Sequence, residues 1–277
     1  MTKILESKSL YEKLIEDVKK EIKNLGITPK LAIVRLGEDA PALAYEKGIK
    51  KTASLLGFDL NINELDIKAS EEEVLSLIDK LNNDDTVGGI LIFRPLPQHI
   101  DPDKINNAIN PLKDIDCMNP VNRAKVYSGN IDGFIPLAPK SAVMLLEHHG
   151  YDLKGKDCVI INHSDVVGKP LSMILLAKWA TVSLCHIETK DLRSYTKNAD
   201  IVFTAMGVPE MLDDSYFSEK ATVIDIGLSK NKEGKMCGDL NEKSVEGKIE
   251  AYSPVPGGVG RTTNLLLLQG ALNFYKK

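Results

Sequence analysis

Four segments rich in proline, glycine and aspartate hold the residues best placed to do chemistry. In chain order they are RPLPQHID (94–101), KDIDCMNP (113–120), CVIINHSDVVGKPLSMIL (158–175) and SPVPGGVGRTT (253–263). The second segment places two carboxylates, Asp114 and Asp116, where they could exchange protons or hydrogen bonds with a ligand. Loop carboxylates are more often solvated, so this pair alone is a weak indication of a site.

The segment 158–175 has the form of a ligand-binding turn between a strand and a helix. A hydrophobic run ends in a polar turn, and Gly168 follows just before the next apolar run. Such a turn can present backbone N–H groups and a helix N-terminus to a pyrophosphate. Asn162 stands where the first glycine of that motif is expected, so an ordinary strand-to-helix turn is an equally good interpretation.

Two proline-containing loops add to this picture. In SPVPGGVGRTT, Gly257 and Gly258 allow positive φ angles and close approach of a ligand, although a rigid inter-domain loop would use them too. In RPLPQHID, prolines flank Leu96 and stiffen a loop that directly follows an apolar run. Loops at the carboxyl ends of parallel strands are where open α/β sheets bind ligands.

The apolar spacing predicts that strands and helices alternate along the chain. Helices are predicted at 6–25, 41–56, 70–82, 140–149, from about 168, and at 261–275, with Gly57 ending the second and a Ser70–Glu73 capping box opening the third. Strands are predicted at 31–37, 58–66, 88–93, 157–161, 181–186, 201–206 and 222–227. The stretch 94–139 has few periodic signals and is expected to form loops and turns. This alternation is typical of α/β proteins with mostly parallel sheets.

The composition fits a globular α/β protein and argues against several partners. The chain has 277 residues, 43% of them hydrophobic, and a formal net charge of −4. This length suits about two domains, and the mild acidity argues against nucleic acid or an anionic membrane as a partner. No signal peptide and no bilayer-spanning run is visible. Cys117, Cys158, Cys185 and Cys237 lack paired spacing, so free thiols in a reducing cytosol are expected, and a metal site is not.

An ordered set of short motifs resembles the methylenetetrahydrofolate dehydrogenase/cyclohydrolase family over nearly the whole chain. The set consists of Tyr45 on the second helix, PLP (95–97), KDID (113–116), SxxVGxP (164–170), GxP (207–209), VIDIG (223–227), GD (238–239) and PVPGGVG (254–260). The last motif is highly specific to that family, and the shared order of all of them argues against chance similarity.

The resemblance implies two α/β domains with a cleft between them, the C-terminal one being a Rossmann-like nucleotide-binding domain. The expected folate-binding catalytic domain covers 1–135 together with the C-terminal helix 255–277, and the NAD(P)-binding domain covers 136–254. The implied reaction oxidises 5,10-methylenetetrahydrofolate to 5,10-methenyltetrahydrofolate by hydride transfer to NAD(P). A cytoplasmic homodimer that acts on tetrahydrofolate one-carbon derivatives is expected with it.

The resemblance also implies roles for individual residues. Tyr45 and Asp116 are the implied catalytic residues, with Tyr45 orienting the folate and Asp116 hydrogen-bonding the pterin. The implied substrate-binding residues are Tyr45, Phe93, Pro95, Leu96, Asp116, Gly257 and Gly258. The implied cofactor-binding residues are Asn162, His163, Ser164, Val167, Gly168, Pro170, Gly207, Leu228 and Thr263.

Two positions that serve hydrolysis of the methenyl product in the family differ in this chain. The family keeps a lysine four residues after the tyrosine, on the same helix face, and a glutamine that hydrogen-bonds it. Here these positions are Ile49 and Phe93, while Lys50 and Lys51 lie about 100° and 200° further round the helix. Attack by water needs acid–base groups, so the joint replacement predicts a dehydrogenase whose cyclohydrolase activity is lost.

The choice of nucleotide depends on two further positions. NADP-using members of the family place an arginine and a serine near the 2′-phosphate. Here these positions are His163 and Ile187, and Ile187 is followed by Glu188. An acidic side chain near the ribose favours a 2′-hydroxyl. NAD is therefore slightly favoured over NADP, although a protonated His163 could still meet a phosphate.

Three alternatives to the single-activity dehydrogenase stay open. An ordinary bifunctional enzyme could use Lys47 or Lys50 through a shifted helix. A non-catalytic paralogue could bind folate or nucleotide without turnover, in keeping with the missing lysine and glutamine and with Asn162. An oxidoreductase of the same architecture could act on another small molecule if Phe93 and Arg94 reshape the cleft.

Overall fold

The computed structural model describes residues 1–276, which fall into two compact units. The six-stranded unit consists of Met1–Tyr11, Val126–Ile131 and Pro136–Thr263. The three-stranded unit consists of Glu12–Lys125, Asp132–Ile135 and the residues from Asn264 onward. The functional domain boundaries given above remain a prediction.

The secondary-structure elements follow one another as alternating strands and helices. The strands are β1 (Lys3–Ile4), β2 (Lys30–Leu36), β3 (Asp59–Leu65), β4 (Val87–Ile92), β5 (Asp157–Ile161), β6 (Thr181–Cys185), β7 (Ile201–Thr204), β8 (Thr222–Asp225), β9 (Ser229–Lys230), β10 (Met236–Cys237) and β11 (Ala251–Tyr252). The helices are α1 (Lys8–Leu25), α2 (Ala40–Leu56), α3 (Glu71–Asn82), α4 (Pro102–Ala108), α5 (Pro120–Tyr127), α6 (Leu137–His148), α7 (Gly168–Ala177), α8 (Leu192–Thr196), α9 (Glu242–Val245) and α10 (Thr263–Leu272). Among the residues described, no helix is long and apolar enough to cross a bilayer.

The six-stranded unit is built on a parallel sheet with the order β1-β11-β8-β7-β5-β6. Its central strands are short apolar runs, because parallel strands covered on both faces have no solvent-facing side. Val159, Val202 and Val223 from three of these strands share one buried core cluster. A short antiparallel pair, β9 with β10, lies outside the main sheet.

The three-stranded unit has a smaller parallel sheet with the order β3-β2-β4. All six residues of β4 are buried, and α3 packs its apolar face into the same core. The α3 N-terminus is closed by the predicted capping box, in which Ser70 and Glu73 exchange hydrogen bonds of 3.2 and 2.7 Å. Gly57 ends α2 in the left-handed conformation, with φ of 78°. Both predicted caps are confirmed.

The predicted α/β architecture is confirmed, and the chief error lies in 94–139. That stretch contains α4 and α5, which have seven and eight residues, too few for a reliable apolar period. The start of α4 nevertheless had a sequence signal, since Asp101 caps the Asp103 N–H at 2.9 Å and Pro102 takes the first helical position.

Candidate active site

An aromatic pair in the three-stranded unit lies at the predicted folate-binding position. Tyr45 lies on α2 and Phe93 directly follows β4, and their ring centroids are 5.3 Å apart with planes tilted by 40°. Phe93 is held by its N–H, which donates to the Val34 carbonyl at 2.9 Å. Tyr45 is 39% exposed, so its ring offers a face on which a flat ligand can stack. Desolvation, followed by the charge of Asp116, raises the pKa of Tyr45, so its hydroxyl stays protonated at neutral pH.

The KDID segment reaches this pair by running along the open edge of β4. The Ile90 N–H donates to the Lys113 carbonyl at 2.8 Å. Gly89 makes the close approach possible, because a Cβ there would lie 2.7 Å from Ile115 Cγ2. The buried Lys113 ammonium donates to three carbonyl oxygens at and after the end of α3, at 2.8 to 3.0 Å. A positive charge is favoured at a helix C-terminus, so this contact anchors the segment.

Asp114 closes the turn that follows. Only 1% of the residue is exposed, and its carboxylate accepts from the Met118 and Asn119 N–H groups at 2.9 Å and from Asn122 Nδ2 at 2.8 Å. Within this turn Cys117 adopts a φ of 57°. The expectation that a loop carboxylate is solvated is therefore wrong for Asp114, whose partners come together only when the turn folds.

Asp116 differs, because its half-buried carboxylate accepts no hydrogen bond from residues 1–276. Burial, followed by the charge of Asp114, raises its pKa to about 6, against the opposing effect of Arg94 and Arg123. An unpaired carboxylate close enough to Tyr45 to shift its pKa is therefore an acceptor available to the N–H donors of a ligand.

The predicted proline loop follows Phe93. Pro95 is exposed, and Leu96 is partly buried against the core cluster beneath α3. The Arg94–Pro95 peptide bond is cis. Pro95 and Leu96 therefore follow the aromatic pair in the chain with two apolar side chains.

Ile49 is fully buried on α2 and presents no ionisable group. Lys50 instead pairs with Glu46 at 2.6 Å, and Glu46 also accepts from Arg35 Nε at 3.0 Å. Burial acts to raise the pKa of Glu46, but the hydrogen bonds from Lys50 and Arg35 outweigh it and lower the pKa. Helix α2 is continuous from Ala40–Leu56, so the shifted helix that would free Lys50 is not observed.

In the six-stranded unit, Asn162 organises the turn between β5 and α7. Its Oδ1 accepts from the Ser164 N–H, the Ser164 hydroxyl and the Gly168 N–H at 2.7 to 2.9 Å, and its Nδ2 donates to the Ala205 carbonyl at 2.6 Å. Gly168 is required here, because a Cβ would lie 1.9 Å from the Asn162 carbonyl oxygen. The Gly168 amide is thus used inside the turn, and binding of a pyrophosphate to it would require the turn to open.

A cavity of about 630 Å³ lies beside this turn, at the carboxyl ends of β5, β6 and β7. Its lining includes Asn162 and His163, whose predicted role in cofactor binding stays a prediction, together with Lys190, Arg193 and Tyr216, which the sequence did not indicate. The Arg193 guanidinium lies 4.2 Å from the Tyr216 ring centroid. The volume is that of a small-molecule site, and the position is where parallel α/β sheets bind nucleotides.

Two histidines meet at the rim of this cavity. The rings of His163 and His186 are 5.4 Å apart with planes at 61°. The Glu188 N–H donates to His186 Nδ1 at 3.2 Å, which requires that nitrogen to be unprotonated and places the proton of neutral His186 on Nε2. Ile187 is 92% exposed and offers no donor to a phosphate.

The loop around Gly207 is held by a buried carboxylate. Asp239 accepts from the Thr204 hydroxyl at 2.7 Å and from the Met206 and Val208 N–H groups at 2.6 and 2.9 Å. Asp225 lies beside it and accepts from two backbone N–H groups at 2.8 Å each. Burial raises the pKa of Asp225 to about 7, and the charge of Asp239 adds to this. The GD motif was the sequence signal for Asp239.

The other predicted residues of this unit are spread over several positions. The Gly257 carbonyl accepts from the Ser7 N–H and hydroxyl at 3.0 and 2.7 Å, and the Gly258 N–H donates to the Pro254 carbonyl at 2.7 Å. Ser164, Val167, Pro170, Gly207, Leu228 and Thr263 lie outside the lining of the 630 Å³ cavity. Their roles, and the predicted meeting of Gly257 and Gly258 with Asp116, remain predictions. In residues 1–276, no three His, Cys, Asp or Glu side chains are arranged to hold a metal ion.

Two parts of the chain match the profiles of one family. Residues 5–116 match "Tetrahydrofolate dehydrogenase/cyclohydrolase, catalytic domain", and residues 136–277 match "Tetrahydrofolate dehydrogenase/cyclohydrolase, NAD(P)-binding domain". The "Bifunctional protein FolD" of Clostridium botulinum (strain Langeland) is 43% identical over 272 residues, covering 97% of this chain and 96% of that protein. The chain belongs to the tetrahydrofolate dehydrogenase/cyclohydrolase family.

Solved structures of the family have the same fold. The bifunctional FolD methylenetetrahydrofolate dehydrogenase/cyclohydrolase of Campylobacter jejuni gives a TM-score of 0.96 at 36% identity, with 100% of this chain and 99% of that chain covered. The Trypanosoma brucei enzyme, complexed with NADP cofactor and an inhibitor, gives 0.92 at 26% identity, with 99% and 97% covered. The predicted family and its Rossmann-like C-terminal domain are confirmed.

Family membership gives the geometry a chemical meaning. The catalytic-domain match includes Tyr45, Phe93 and Asp116, and the NAD(P)-binding match includes the 630 Å³ cavity and the Asn162 turn. Sequence reasoning named Arg94 only as a residue that could reshape the cleft and missed Arg123, and the charges of both act on Asp116. Their only sequence signal was position, since Arg94 follows Phe93 at the end of β4 and Arg123 lies on α5, after the KDID turn.

Proposed function

We propose that this chain oxidises 5,10-methylenetetrahydrofolate to 5,10-methenyltetrahydrofolate with a nicotinamide nucleotide. The unpartnered carboxylate of Asp116 beside the Tyr45–Phe93 pair carries this proposal. A reduced pterin presents amino and amide N–H donors along one edge and a flat ring system beside it. Asp116 would accept from that edge, while Tyr45 would pack on the ring and fix the orientation of the one-carbon bridge.

The remaining substrate contacts extend this arrangement. Phe93, Pro95 and Leu96 would line the apolar side of the folate, and Gly257 and Gly258 would let the ligand approach the backbone closely. Hydride transfer chiefly needs two rings held in position, because the folate nitrogens stabilise the cation that forms. No acid–base group is therefore required for the oxidation step.

The cavity of the six-stranded unit fits a nicotinamide nucleotide. Its lining combines polar side chains, such as Asn162 and Lys190, with apolar ones, such as Ile161 and Met206, which suits an adenosine. Asn162, His163 and Ser164 would surround the ribose and phosphates. When bound, the nicotinamide ring accepts the hydride and its electron pair. Val167, Gly168, Pro170, Gly207, Leu228 and Thr263 are the proposed remaining contacts of the nucleotide.

We propose that NAD is used somewhat better than NADP. Ile187 offers no donor to a 2′-phosphate, and Glu188 brings an acidic side chain after it. Lys190 and Arg193 also line the cavity and work in the opposite direction, so a modest preference is expected. Initial rates with each nucleotide give the two KM values, and a lower KM for NADP would reverse the assignment.

The similar proteins of Clostridium botulinum and Campylobacter jejuni are bifunctional, which favours the bifunctional alternative over the predicted loss of hydrolysis. We therefore propose that the chain also hydrolyses the methenyl product. The rate should be reduced, because Ile49 and Phe93 provide no acid–base group next to Tyr45 and Lys50 is paired with Glu46. A complete loss remains the prediction from those two positions, and a hydrolysis assay decides between them.

The test uses purified full-length protein and both reduced folates. Nucleotide reduction with methylenetetrahydrofolate is expected, and its absence with folate still bound would indicate the non-catalytic paralogue. Hydrolysis of methenyltetrahydrofolate above the uncatalysed rate is expected for the wild type, and Ile49→Lys with Phe93→Gln should raise it at least roughly tenfold. Lys50→Met is the matched control, and loss of hydrolysis in that variant would show that Lys50 acts in place of the family's lysine.

We also propose a cytoplasmic homodimer that uses the six-stranded unit. Strand β6 is an edge of the main sheet, and Leu176, Trp179 and Leu184 are exposed near it. Open sheet edges with exposed apolar groups are pairing surfaces. Light scattering should give twice the chain mass, and Leu184→Lys should lower the measured mass. The buried free cysteines fit a reducing compartment such as the cytoplasm.

A further inference from the structure

Arg94 directly follows Phe93 of the aromatic pair, and the proposed chemistry gives it no role. Its Nη2 donates to Asn106 Oδ1, while its Nε, like that of Arg123, is buried without a hydrogen-bond partner in the described part of the chain. A buried guanidinium nitrogen without a partner is unusual and calls for an explanation. Burial lowers the pKa of Arg94 and the charge of Asp116 raises it, so the two groups act on each other.

A short chain of hydrogen bonds fixes Arg94 and Asp116 on one frame. Asn106 lies on α4, is 5% exposed, and holds Arg94 through its side chain. Its carbonyl accepts from Asn119 Nδ2 at 3.2 Å, and the same amide reaches the Ile109 carbonyl at 2.9 Å. Asn119 belongs to the turn that follows Asp116, so α4 positions the arginine and the carboxylate together.

The groups that act on the pKa of Asp116 come from its own turn and from the segments packed against it. Asp114 raises its pKa from within the same turn, and Arg94 and Arg123 lower it, with Arg94 the stronger of the two. Tyr45 on α2 is the neutral group of the set, and the buried Cys117 thiol has a pKa raised to about 12 and is also uncharged at neutral pH. Arg94 is thus the principal cation that opposes protonation of the unpaired carboxylate.

We propose that Arg94 is a positioning residue for folate recognition: it keeps the Asp116 carboxylate charged and available to the pterin N–H donors without itself binding the substrate. This inference rests on the proposed function and goes beyond it. The unpaired Nε of Arg94 and the unpaired carboxylate of Asp116 then serve the same function, which is recognition of the pterin. The arginine supplies charge at a distance, and the substrate supplies the hydrogen bonds that Asp116 lacks.

The test compares wild type, Arg94→Met and Arg94→Lys over a range of pH. Tetrahydrofolate affinity, measured anaerobically by fluorescence titration, should weaken in acid with a midpoint near the Asp116 pKa of about 6. In Arg94→Met the midpoint should move up by about one pH unit, which weakens the affinity roughly fivefold at pH 6, approaches tenfold in more acidic solution and changes little well above pH 7. Arg94→Lys should restore the wild-type midpoint. The control is Lys104→Met, which removes an exposed lysine of α4 that pairs with Glu71.

A second measurement does not depend on folate. The Asp116 carboxyl carbon can be titrated by NMR in ligand-free protein, with Asp116→Asn giving the assignment, and its pKa should rise in Arg94→Met. An unchanged pKa would overturn the inference. An equal loss of affinity at every pH would overturn it too, because it would place the guanidinium on the substrate. If the pKa moves but wild-type protein binds no tetrahydrofolate, the proposed function fails while the effect of Arg94 on Asp116 stands.

Discussion

Acidic residues serve different purposes in the two units. In the six-stranded unit, Asp239 accepts three hydrogen bonds and Asp225 accepts two from backbone N–H groups. In the three-stranded unit, Asp114 is satisfied in the same way, but the half-buried Asp116 carboxylate has no hydrogen-bond partner among residues 1–276. A satisfied carboxylate organises the chain around it, whereas one without a protein partner keeps its oxygens available to a ligand.

The difference also separates the two kinds of candidate site. The nucleotide side is shaped by polar groups that are already paired with one another, such as Asn162 with Ser164 and Gly168. Within residues 1–276, the proposed folate side keeps groups without a hydrogen-bond partner on Asp116, on Arg94 Nε and on Arg123 Nε. We therefore expect substitutions on the first side to change stability as well as binding, and substitutions on the second to change activity alone.

Replacing Asp116 should give the largest effect on activity. In Asp116→Asn, kcat/KM for methylenetetrahydrofolate should fall by roughly 100-fold, because hydrogen bonds to a charged acceptor contribute about 1.5–3 kcal/mol each. The melting temperature should change little, since the half-buried carboxylate makes no hydrogen bond with residues 1–276 that the substitution could remove. Steady-state rates and thermal unfolding check both halves. Asp85→Asn, at an exposed position of the same unit, is the control, and activity within threefold of wild type in Asp116→Asn would break the comparison.

The sequence predicted the framework well and the local environment of the charges poorly. Apolar runs such as VGGILI predict buried strands, and this run forms the buried strand β4. The Ser70–Glu73 spacing predicted a capping box that the structure contains. The KDID motif located both aspartates without showing which of them is satisfied. Whether an aspartate is satisfied depends on the turn through Cys117 and on Asn122 in the first turn of α5. Neither feature follows from apolar spacing.

Arg94 was the hardest residue to assign, for a related reason. Its surroundings come from Asn106 on α4, a helix too short to show a period, and from the turn that contains Asp116. Similarly, the lining of the nucleotide cavity by Lys190 and Arg193 depends on where a five-residue helix begins. Sequence reasoning therefore identifies candidate site residues that directly follow strands. It misses charged side chains whose position depends on a short helix.

The pH dependence of stability should come chiefly from Asp225 in the six-stranded unit. Its pKa of about 7 lies above the ordinary unfolded value of about 3.9, so the folded state binds this proton more tightly. The free energy of unfolding should then fall as pH rises through this window, by about 2 kcal/mol between pH 5 and 7, and level off above about pH 8. Urea unfolding at several pH values measures the slope, which Asp225→Asn should remove and Asp152→Asn should retain. Equal slopes in all three proteins would contradict the assignment.

Replacing Asp239 should weaken both stability and nucleotide binding. In Asp239→Asn, one amide oxygen cannot accept from the Thr204 hydroxyl and both N–H groups of the Gly207 loop. The cost should be about 2 kcal/mol of unfolding free energy, and the nucleotide dissociation constant should rise because the loop loosens. Denaturant unfolding and nucleotide titration, each compared with Asp152→Asn, give the two values. Normal stability with weakened nucleotide binding would place Asp239 in the ligand contacts rather than in the scaffold.

The smallest effect should come from the α3 cap, which lies in the same unit as Asp116. Ser70→Ala removes the hydroxyl that accepts from the Glu73 N–H, and loss of such a cap costs about 1 kcal/mol. Neither Ser70 nor Glu73 touches the aromatic pair, so kcat and KM should keep their wild-type values. Ser70→Thr, which retains a hydroxyl, should recover most of the stability. A fall in activity in Ser70→Ala would show that the proposed folate site depends on the stability of the surrounding unit. Groups that affect stability and groups that affect activity could then not be told apart within the three-stranded unit.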